Sequence, residues 1–352
     1  MSSKKFKLGL IPKIVIGIII GVIIGSFCPV WFTRIFVTFS SIFGNFLGFV
    51  IPLLIVGFVT AGIAELGTGA GKLLGITVGI AYGFTLISGF FAYGMGKTLL
   101  PSIVTADSAR NIASAAKDLK PFFTIDMPPI MGVMTALILA FLLGLGIAAI
   151  DSDPLRKIAE DFQAIITKVI ENVIIPLLPI HIIGIFGNMT YTGQVATVFS
   201  VFWKAFIIII CCHLIIILFQ FAIGCSVSKK NLFSCLKSQI PGYLTALGTQ
   251  SSAATIPVNL KCSESMGISK GIREFVIPLC ATTHMSGSTI TITTCAMAVM
   301  MLNSMPVTLS TFAGFIAMLG VSIVAAPGVP GGAIMASLGV LESILGFSKP
   351  ML

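Results

Sequence analysis

The sequence predicts an all-α polytopic membrane protein, and three observations support this class. Of the 352 residues, 56% are hydrophobic and only 9% are charged, whereas a soluble domain carries about 25% charged residues. The apolar residues form repeated runs, and a run of about 18 or more predicts a transmembrane helix. In the last third of the chain these runs become shorter and contain serine, threonine, glycine and proline. We therefore predict one integral membrane unit, residues 1–352.

The first two thirds of the chain contain six apolar segments. They cover about 8–28, 35–64, 73–100, 130–150, 155–187 and 195–225. In the first segment, Gly17, Gly21 and Gly25 share one helix face, which predicts close contact with another helix. The basic N-terminus resembles that of a signal peptide, but no small-residue cleavage site follows, so we expect this helix to be retained. The polar stretch 102–129 is expected to be the longest water-facing loop.

The formal net charge of +9 is best explained by membrane topology. Lysine and arginine favour cytoplasmic loops, and their distribution predicts a multi-pass protein of the cell inner membrane with a cytoplasmic N-terminus. This orientation requires residues 231–268 to enter and leave on the same side, as a re-entrant hairpin would.

Three irregular stretches lie at predicted membrane depth in the last third of the chain: 248–257, 280–289 and 325–333. Irregular backbone is tolerated there only inside the protein or beside an aqueous site. Secondary transporters build their binding sites from such broken helices. The alternative is that proline and glycine merely kink ordinary spanning helices. We predict a first hairpin at 231–268, a discontinuous helix at 270–302 and a second hairpin at 308–346.

The tip motifs are specific. The first reads Ser-Ser-Ala-Ala-Thr-Ile-Pro over 251–257, the second reads Gly-Val-Pro-Gly over 328–331, and Tyr-Gly-Phe-Thr stands at 82–85. The chain resembles the dicarboxylate/amino acid:cation symporter family at these residues. The resemblance implies a glutamate-transporter-like fold with two re-entrant helical hairpins and a discontinuous seventh helix.

The resemblance also implies a function and an organisation. The expected function is secondary active symport, in which inward movement of a cation drives uptake of a dicarboxylate or amino acid by an elevator-type mechanism. The cation would be sodium, with a proton as the alternative. The implied scaffold elements are 8–64 and 130–190, and the implied transport-domain elements are 73–100, 195–225 and 231–347. The implied partners are the small carboxylate or amino-acid substrate, the lipid bilayer and the other copies of a homotrimer. No nucleic acid and no cofactor beyond the coupling cation are expected.

The matching motifs assign site residues one by one. The implied substrate-binding residues are Ser251, Ser252, Ser288, Gly328, Val329 and Gly331. The implied cation-binding residues are Tyr82, Thr85, Cys280, Thr282, His284, Met285, Ser286 and Ala326.

The seventh-helix motif departs from the family pattern. The family has Asn-Met-Asp-Gly-Thr, whereas this chain has His-Met-Ser-Gly-Ser over 284–288. Ser286 therefore replaces a carboxylate that binds sodium, and His284 replaces an asparagine that orients the cation sites. Ionisable side chains at membrane depth are functional candidates, and histidine titrates near neutral pH. Proton coupling, fewer sodium ions and a neutral, hydrogen-bonded His284 all remain open.

The C-terminus is the second departure. The chain ends at residue 352, where the family's eighth helix would begin, so a truncated, transport-incompetent remnant or an assembly partner is an alternative function. Gln250 stands where some members have an arginine, so an acidic substrate is neither supported nor excluded.

An intramembrane enzyme would require paired aspartates, a serine-based dyad or an H-E-x-x-H motif. The sequence offers none of these, so we expect no enzymatic activity. No metal site beyond that of the coupling cation is expected either.

Overall fold

The computed structural model describes residues 10–65, 71–105, 118–324, 331–348 and 351–352. These ranges contain helices, turns and extended connections but no strand, which confirms the all-α class. The helices are α1 Leu10–Phe27, α2 Val30–Glu65, α3 Gly71–Leu99, α4 Val133–Ile150, α5 Asp153–Val169, α6 Ile175–Tyr191, α7 Val195–Ser228, α8 Leu232–Thr249, α9 Ser252–Ser265, α10 Lys270–Thr283, α11 Ser286–Leu302, α12 Leu309–Val324 and α13 Gly332–Leu345. A π-helical turn, Ile170–Ile174, joins α5 to α6 without a break.

Within the described ranges, five helical segments are long and apolar enough to cross a membrane. They are Val30–Ala64, Leu73–Ser102, Asp153–Tyr191, Val195–Ser228 and Lys270–Leu302. The second segment was predicted to begin near residue 35. In the structure its helix begins at Val30, directly after Pro29. The Pro29 carbonyl accepts a hydrogen bond from the Thr33 amide at 3.3 Å and so takes part in the first turn of the helix.

One group of helices packs around α2, which contacts α4, α5 and α6. Its core is formed by Phe43, Val50, Leu54, Phe58, Ile166, Ile170 and Ile174. The predicted glycine face of α1 lies against α6, where a Cβ atom on Gly21 would stand 2.8 Å from the carbonyl oxygen of Ile183. A Cβ atom on Gly17 would stand 2.8 Å from the carbonyl oxygen of Pro179. The glycines therefore allow the two backbones to approach closely.

A second group of helices packs around α11, which contacts α3, α7 and α13. The helix α12 also packs against α3. The shared core includes Ile290, Met297, Phe312, Phe315, Ile316 and Leu319, all fully buried. The two groups meet where α13 contacts α2 and α4, and where α12 contacts α2.

Two pairs of short helices stand out from the long ones. The helices α8 and α9 contain 18 and 14 residues, or about 27 and 21 Å at 1.5 Å per residue. Both are shorter than the bilayer core of about 30 Å. They pack on each other, and the Gln239 amide nitrogen donates to the Asn259 amide oxygen at 2.8 Å. The pair α12 and α13, with 16 and 14 residues, also pack together.

The connection from residue 118 to residue 129 is not a free loop. Its exposed chain lies along α2, where the Arg34 guanidinium donates to the Lys120 carbonyl at 2.9 Å. The Phe122 amide donates to the Thr38 hydroxyl at 2.9 Å, and the Asn45 amide donates to the Ile125 carbonyl at 2.7 Å. The described part of the predicted water-facing loop is therefore fixed to the helix group around α2.

Candidate functional site

The segment Lys270–Leu302 is interrupted between α10 and α11. His284 adopts an extended conformation (φ −99°, ψ 96°), and Met285 has φ −113° and ψ 30°. Residues outside the helical conformation interrupt the ladder of backbone hydrogen bonds and leave polar groups for other partners. The interruption lies in the middle of a 33-residue segment that is long and apolar enough to cross a membrane.

Three side chains meet at this interruption. The His284 Nε2 atom lies 2.7 Å from the Ser286 hydroxyl oxygen. The Gln220 Nε2 atom, on α7, lies 3.2 Å from the same oxygen and 3.4 Å from the His284 Nε2 atom. Ser286 is buried, whereas His284 and Gln220 are half-buried. His284 and Ser286 are residues that the sequence predicted for the site, whereas Gln220 was not among them.

An aromatic side chain of α3 orients the imidazole of His284. The Phe84 ring is parallel to it, with an interplanar angle of 5° and 6.4 Å between the ring centroids. Phe219 of α7 meets Phe84 edge-on, with 6.4 Å between the centroids. The described hydrogen bonds of His284 and Ser286 go to neutral groups. The cluster is therefore polar, uncharged when the histidine is neutral, and enclosed on one side by aromatic rings.

A second polar residue of α7 contacts the first turns of α11. The His213 Nε2 atom lies 3.0 Å from the carbonyl oxygen of Gly287 and 3.2 Å from the Thr291 hydroxyl. The Thr291 hydroxyl also donates to the Gly287 carbonyl, at 3.1 Å. α7 thus holds the beginning of α11 at two points, through Gln220 and through His213.

The predicted residues of α3, Tyr82 and Thr85, face α12. The Tyr82 hydroxyl donates to the Ala317 carbonyl of α12 at 3.1 Å. The Thr85 side chain is fully buried and donates to the Ala81 carbonyl of its own helix at 2.9 Å. A Cβ atom on Gly320 would lie 3.0 Å from the Tyr82 ring and 3.4 Å from the Thr85 methyl group. Both side chains therefore lie at the contact between α3 and α12.

The predicted cation-binding residues at the interruption already take part in hydrogen bonds. The Cys280 carbonyl accepts from the His284 amide at 3.1 Å. The Met285 carbonyl accepts from both the amide and the hydroxyl of Thr289, each at 3.0 Å. Thr282 donates its hydroxyl to the Leu279 carbonyl at 3.1 Å and is exposed. A carbonyl oxygen has two lone pairs, and the described hydrogen bond to the Cys280 carbonyl uses one of them.

Two predicted substrate residues lie where α8 ends and α9 begins. Gln250 turns the chain with a left-handed φ of 54°. Ser251 then caps α9, because its hydroxyl accepts from the Ala254 amide at 3.3 Å. Ser252 is the first residue of α9 and is exposed. The buried Thr255 donates to the Ser251 carbonyl at 2.8 Å and thereby stabilises the turn.

The remaining predicted substrate residues are only partly described. Ser288 lies half-buried in the first turn of α11. Gly331 has a φ of 81° directly before α13, a left-handed conformation that favours glycine. The predicted residues Ala326, Gly328 and Val329 lie outside the described residues.

A signal in the sequence could have identified the residues of α7. The helix Val195–Ser228 contains an 18-residue stretch with a mean hydropathy of 2.9, and His213 and Gln220 are polar residues in the apolar second half of this helix. A polar side chain inside a spanning helix is costly and marks a functional candidate by default.

The chain matches the model of the sodium:dicarboxylate symporter family over residues 10–352. It belongs to this family. The serine/threonine transporter SstT of Acinetobacter baumannii (strain AYE) is 27% identical over 357 residues, with 97% of this chain and 88% of the relative covered. SstT of Enterococcus faecalis is 28% identical, with 94% and 80% covered. SstT of Streptococcus suis is 27% identical, with 94% and 93% covered.

Membership of the sodium:dicarboxylate symporter family confirms the resemblance found in the sequence. Family and relatives are transporters, which also confirms that the chain is not an enzyme. They support a multi-pass membrane protein that couples sodium to the movement of an amino acid or dicarboxylate. They do not favour the alternative of a transport-incompetent remnant.

Proposed function

We propose that this symporter takes up a neutral hydroxyl amino acid, serine or threonine, together with sodium. The main support for this substrate class is that the three irregular stretches of the last third of the chain contain no acidic residue, lysine or arginine. Residues 248–257, 280–289 and 325–333 contain no lysine, arginine, aspartate or glutamate. A charged substrate side chain would need a counter-charge there, because an unpaired charge is costly in a low-dielectric site. The names of the three relatives agree with this class.

The first hairpin tip would bind the carboxylate of the amino acid. The N-terminus of α9 lies there with Ser251 and Ser252, and the positive end of a helix dipole attracts an anion. Discontinuous helices of other secondary transporters use their N-termini in this way. Ser288 would contact the substrate from α11. Gly328, Val329 and Gly331 would cover the substrate as the second hairpin closes.

The interruption between α10 and α11 would bind sodium. Hard cations prefer oxygen ligands, and the Ser286 hydroxyl and the carbonyls of Cys280 and Thr282 are oxygens of this kind. This proposal also includes Met285 at the interruption and the other predicted ligands, Tyr82, Thr85 and Ala326. In this proposal His284 serves as a neutral hydrogen-bond partner of Ser286. A proton in place of sodium is the alternative that transport measurements must exclude.

Elevator-type movement is the proposed mechanism. The scaffold would comprise 8–64 and 130–190, and the transport domain would comprise 73–100, 195–225 and 231–347. In support, α2 packs with α4 to α6, whereas α11 packs with α3 and α7. We further propose that the protein is a homotrimer, as the family resemblance implies. It would lie in the cell inner membrane with its N-terminus in the cytoplasm, an orientation that the distribution of lysine and arginine favours.

Ligand-dependent thermal stability tests the substrate class. A ligand at about 100 times its Kd stabilises the folded protein by about 2.7 kcal/mol. L-serine and L-threonine should therefore raise the Tm of the purified protein by several degrees in sodium chloride but not in choline chloride. L-aspartate and succinate serve as acidic competitors. Greater stabilisation by either acidic compound would refute the neutral substrate class.

A further inference from the structure

The polar face of α7 has no role in the transport cycle described above. Gln220 is half-buried in an apolar helix, where an unpaired amide would cost free energy. Its described partners are the hydroxyl of Ser286 and the imidazole of His284, at 3.2 and 3.4 Å. The amide therefore contacts two of the residues assigned to the cation site and does so from a different helix.

The three groups form a directed chain of hydrogen bonds. A serine hydroxyl has one hydrogen and two lone pairs, and an amide nitrogen is only a donor. When the Gln220 amide nitrogen donates to Ser286, it occupies one lone pair of the hydroxyl. Because the Gln220 amide nitrogen can only donate, its contact with the His284 Nε2 atom at 3.4 Å requires this ring nitrogen to be unprotonated. In that tautomer the Ser286 hydroxyl hydrogen points to the His284 Nε2 atom, 2.7 Å away. One lone pair of Ser286 remains, in a fixed direction, for a cation.

His213 strengthens the same arrangement. It precedes Gln220 by two helical turns and therefore lies on the same face of α7. Its Nε2 atom contacts the Gly287 carbonyl at 3.0 Å, directly after Ser286 in the chain. α7 is thus fixed to the backbone of α11 through His213, while Gln220 reaches the hydroxyl.

We propose that Gln220 is a positioning residue of the coupling-cation site and acts through Ser286 and His284. This inference rests on the proposed sodium symport and deepens it. In a neutral site the hydroxyl dipole must be oriented before the cation arrives, because no carboxylate compensates for poor orientation. Loss of the Gln220 amide therefore weakens sodium binding without removing a ligand.

Sodium titration of uptake into proteoliposomes tests this role. Gln220→Met keeps the length of the side chain and removes the amide. It should raise the sodium concentration for half-maximal L-serine uptake about tenfold, which corresponds to about 1.4 kcal/mol. The maximal rate at saturating sodium should stay within about twofold. Ser200→Met adds the same side chain at an exposed position of α7 and should leave the sodium dependence unchanged.

A double-mutant cycle separates positioning from a merely structural role. Ser286→Ala alone should also raise the half-saturating sodium concentration, and Gln220→Met should have little further effect in that background, since coupled residues are not additive. Fully additive effects, or an unchanged sodium dependence in Gln220→Met, would overturn the inference. If Gln220→Met does not fold, Gln220→Leu replaces it in the cycle. Sodium-independent uptake by the unmodified protein would overturn the proposed symport and this inference with it.

Discussion

At the scale of single residues, Ser286 is the most informative position. The family resemblance implies an aspartate here, and the chain has a buried hydroxyl 2.7 Å from His284. A hydroxyl offers a cation only a dipole, whereas a carboxylate offers a full charge. We therefore expect weak sodium binding, at which the orientation of each neutral ligand matters.

Restoring the carboxylate should strengthen the cation site. Ser286→Asp should lower the sodium concentration for half-maximal uptake by about tenfold or more, because an opposite charge in a low-dielectric site is worth more than about 1.4 kcal/mol. Ser286→Asn is the matched control, since it adds nearly the same volume without the charge. Equal effects of the two variants would show that size and not charge determines sodium affinity.

The sequence predicted part of this site and not the rest. The motif at 284–288 identified His284 and Ser286, because their neighbours in the chain carry the family pattern. Gln220 could not be placed by motif, because it reaches them across 64 and 66 residues of chain. The face of α7 that contacts α11 is determined by tertiary packing, and the sequence of α7 alone does not predict it.

At the scale of helices, close packing of α1 on α6 depends on glycine. The apolar runs predicted most helices well, and the four-residue glycine spacing predicted the contact face of α1. The π-helical turn Ile170–Ile174 was not predicted. It lies just before Pro176, which has no N–H to continue the normal ladder. Several local hydrogen-bond patterns can accommodate such a proline, and the tertiary contacts of α6 select among them.

Replacing a glycine with alanine should lower stability where another helix packs against the glycine, and should not lower it where the space beside the glycine is open. Gly21→Ala would place a Cβ atom 2.8 Å from the Ile183 carbonyl and should destabilise the protein by about 1–3 kcal/mol, as overpacking does. Gly79 of α3 has no atom within 4 Å of such a Cβ atom. Gly79→Ala should therefore be neutral or slightly stabilising, because alanine favours the helix. Thermal unfolding in detergent measures both, and a Tm for Gly21→Ala at or above that of Gly79→Ala would contradict the close contact.

At the scale of the whole molecule, the proposed transport function rests on the interrupted C-terminal third. Irregular stretches at membrane depth were visible in the sequence because serine, glycine and proline are conspicuous in apolar surroundings. The division of the remaining helices into two packed groups was not visible in their composition, since both groups contain long apolar helices. That division came only from the family resemblance, and the observed packing of α2 and of α11 is compatible with it.

Sodium-driven accumulation is the most direct test of the proposed transport. The purified 352-residue protein would be reconstituted into proteoliposomes, and radiolabelled L-serine would be followed under an inward sodium gradient. We expect accumulation several-fold above equilibrium, abolished when choline replaces sodium on both sides or when an ionophore dissipates the gradient. Accumulation driven equally well by an inward proton gradient without sodium, or no accumulation under any gradient, would contradict sodium-coupled uptake.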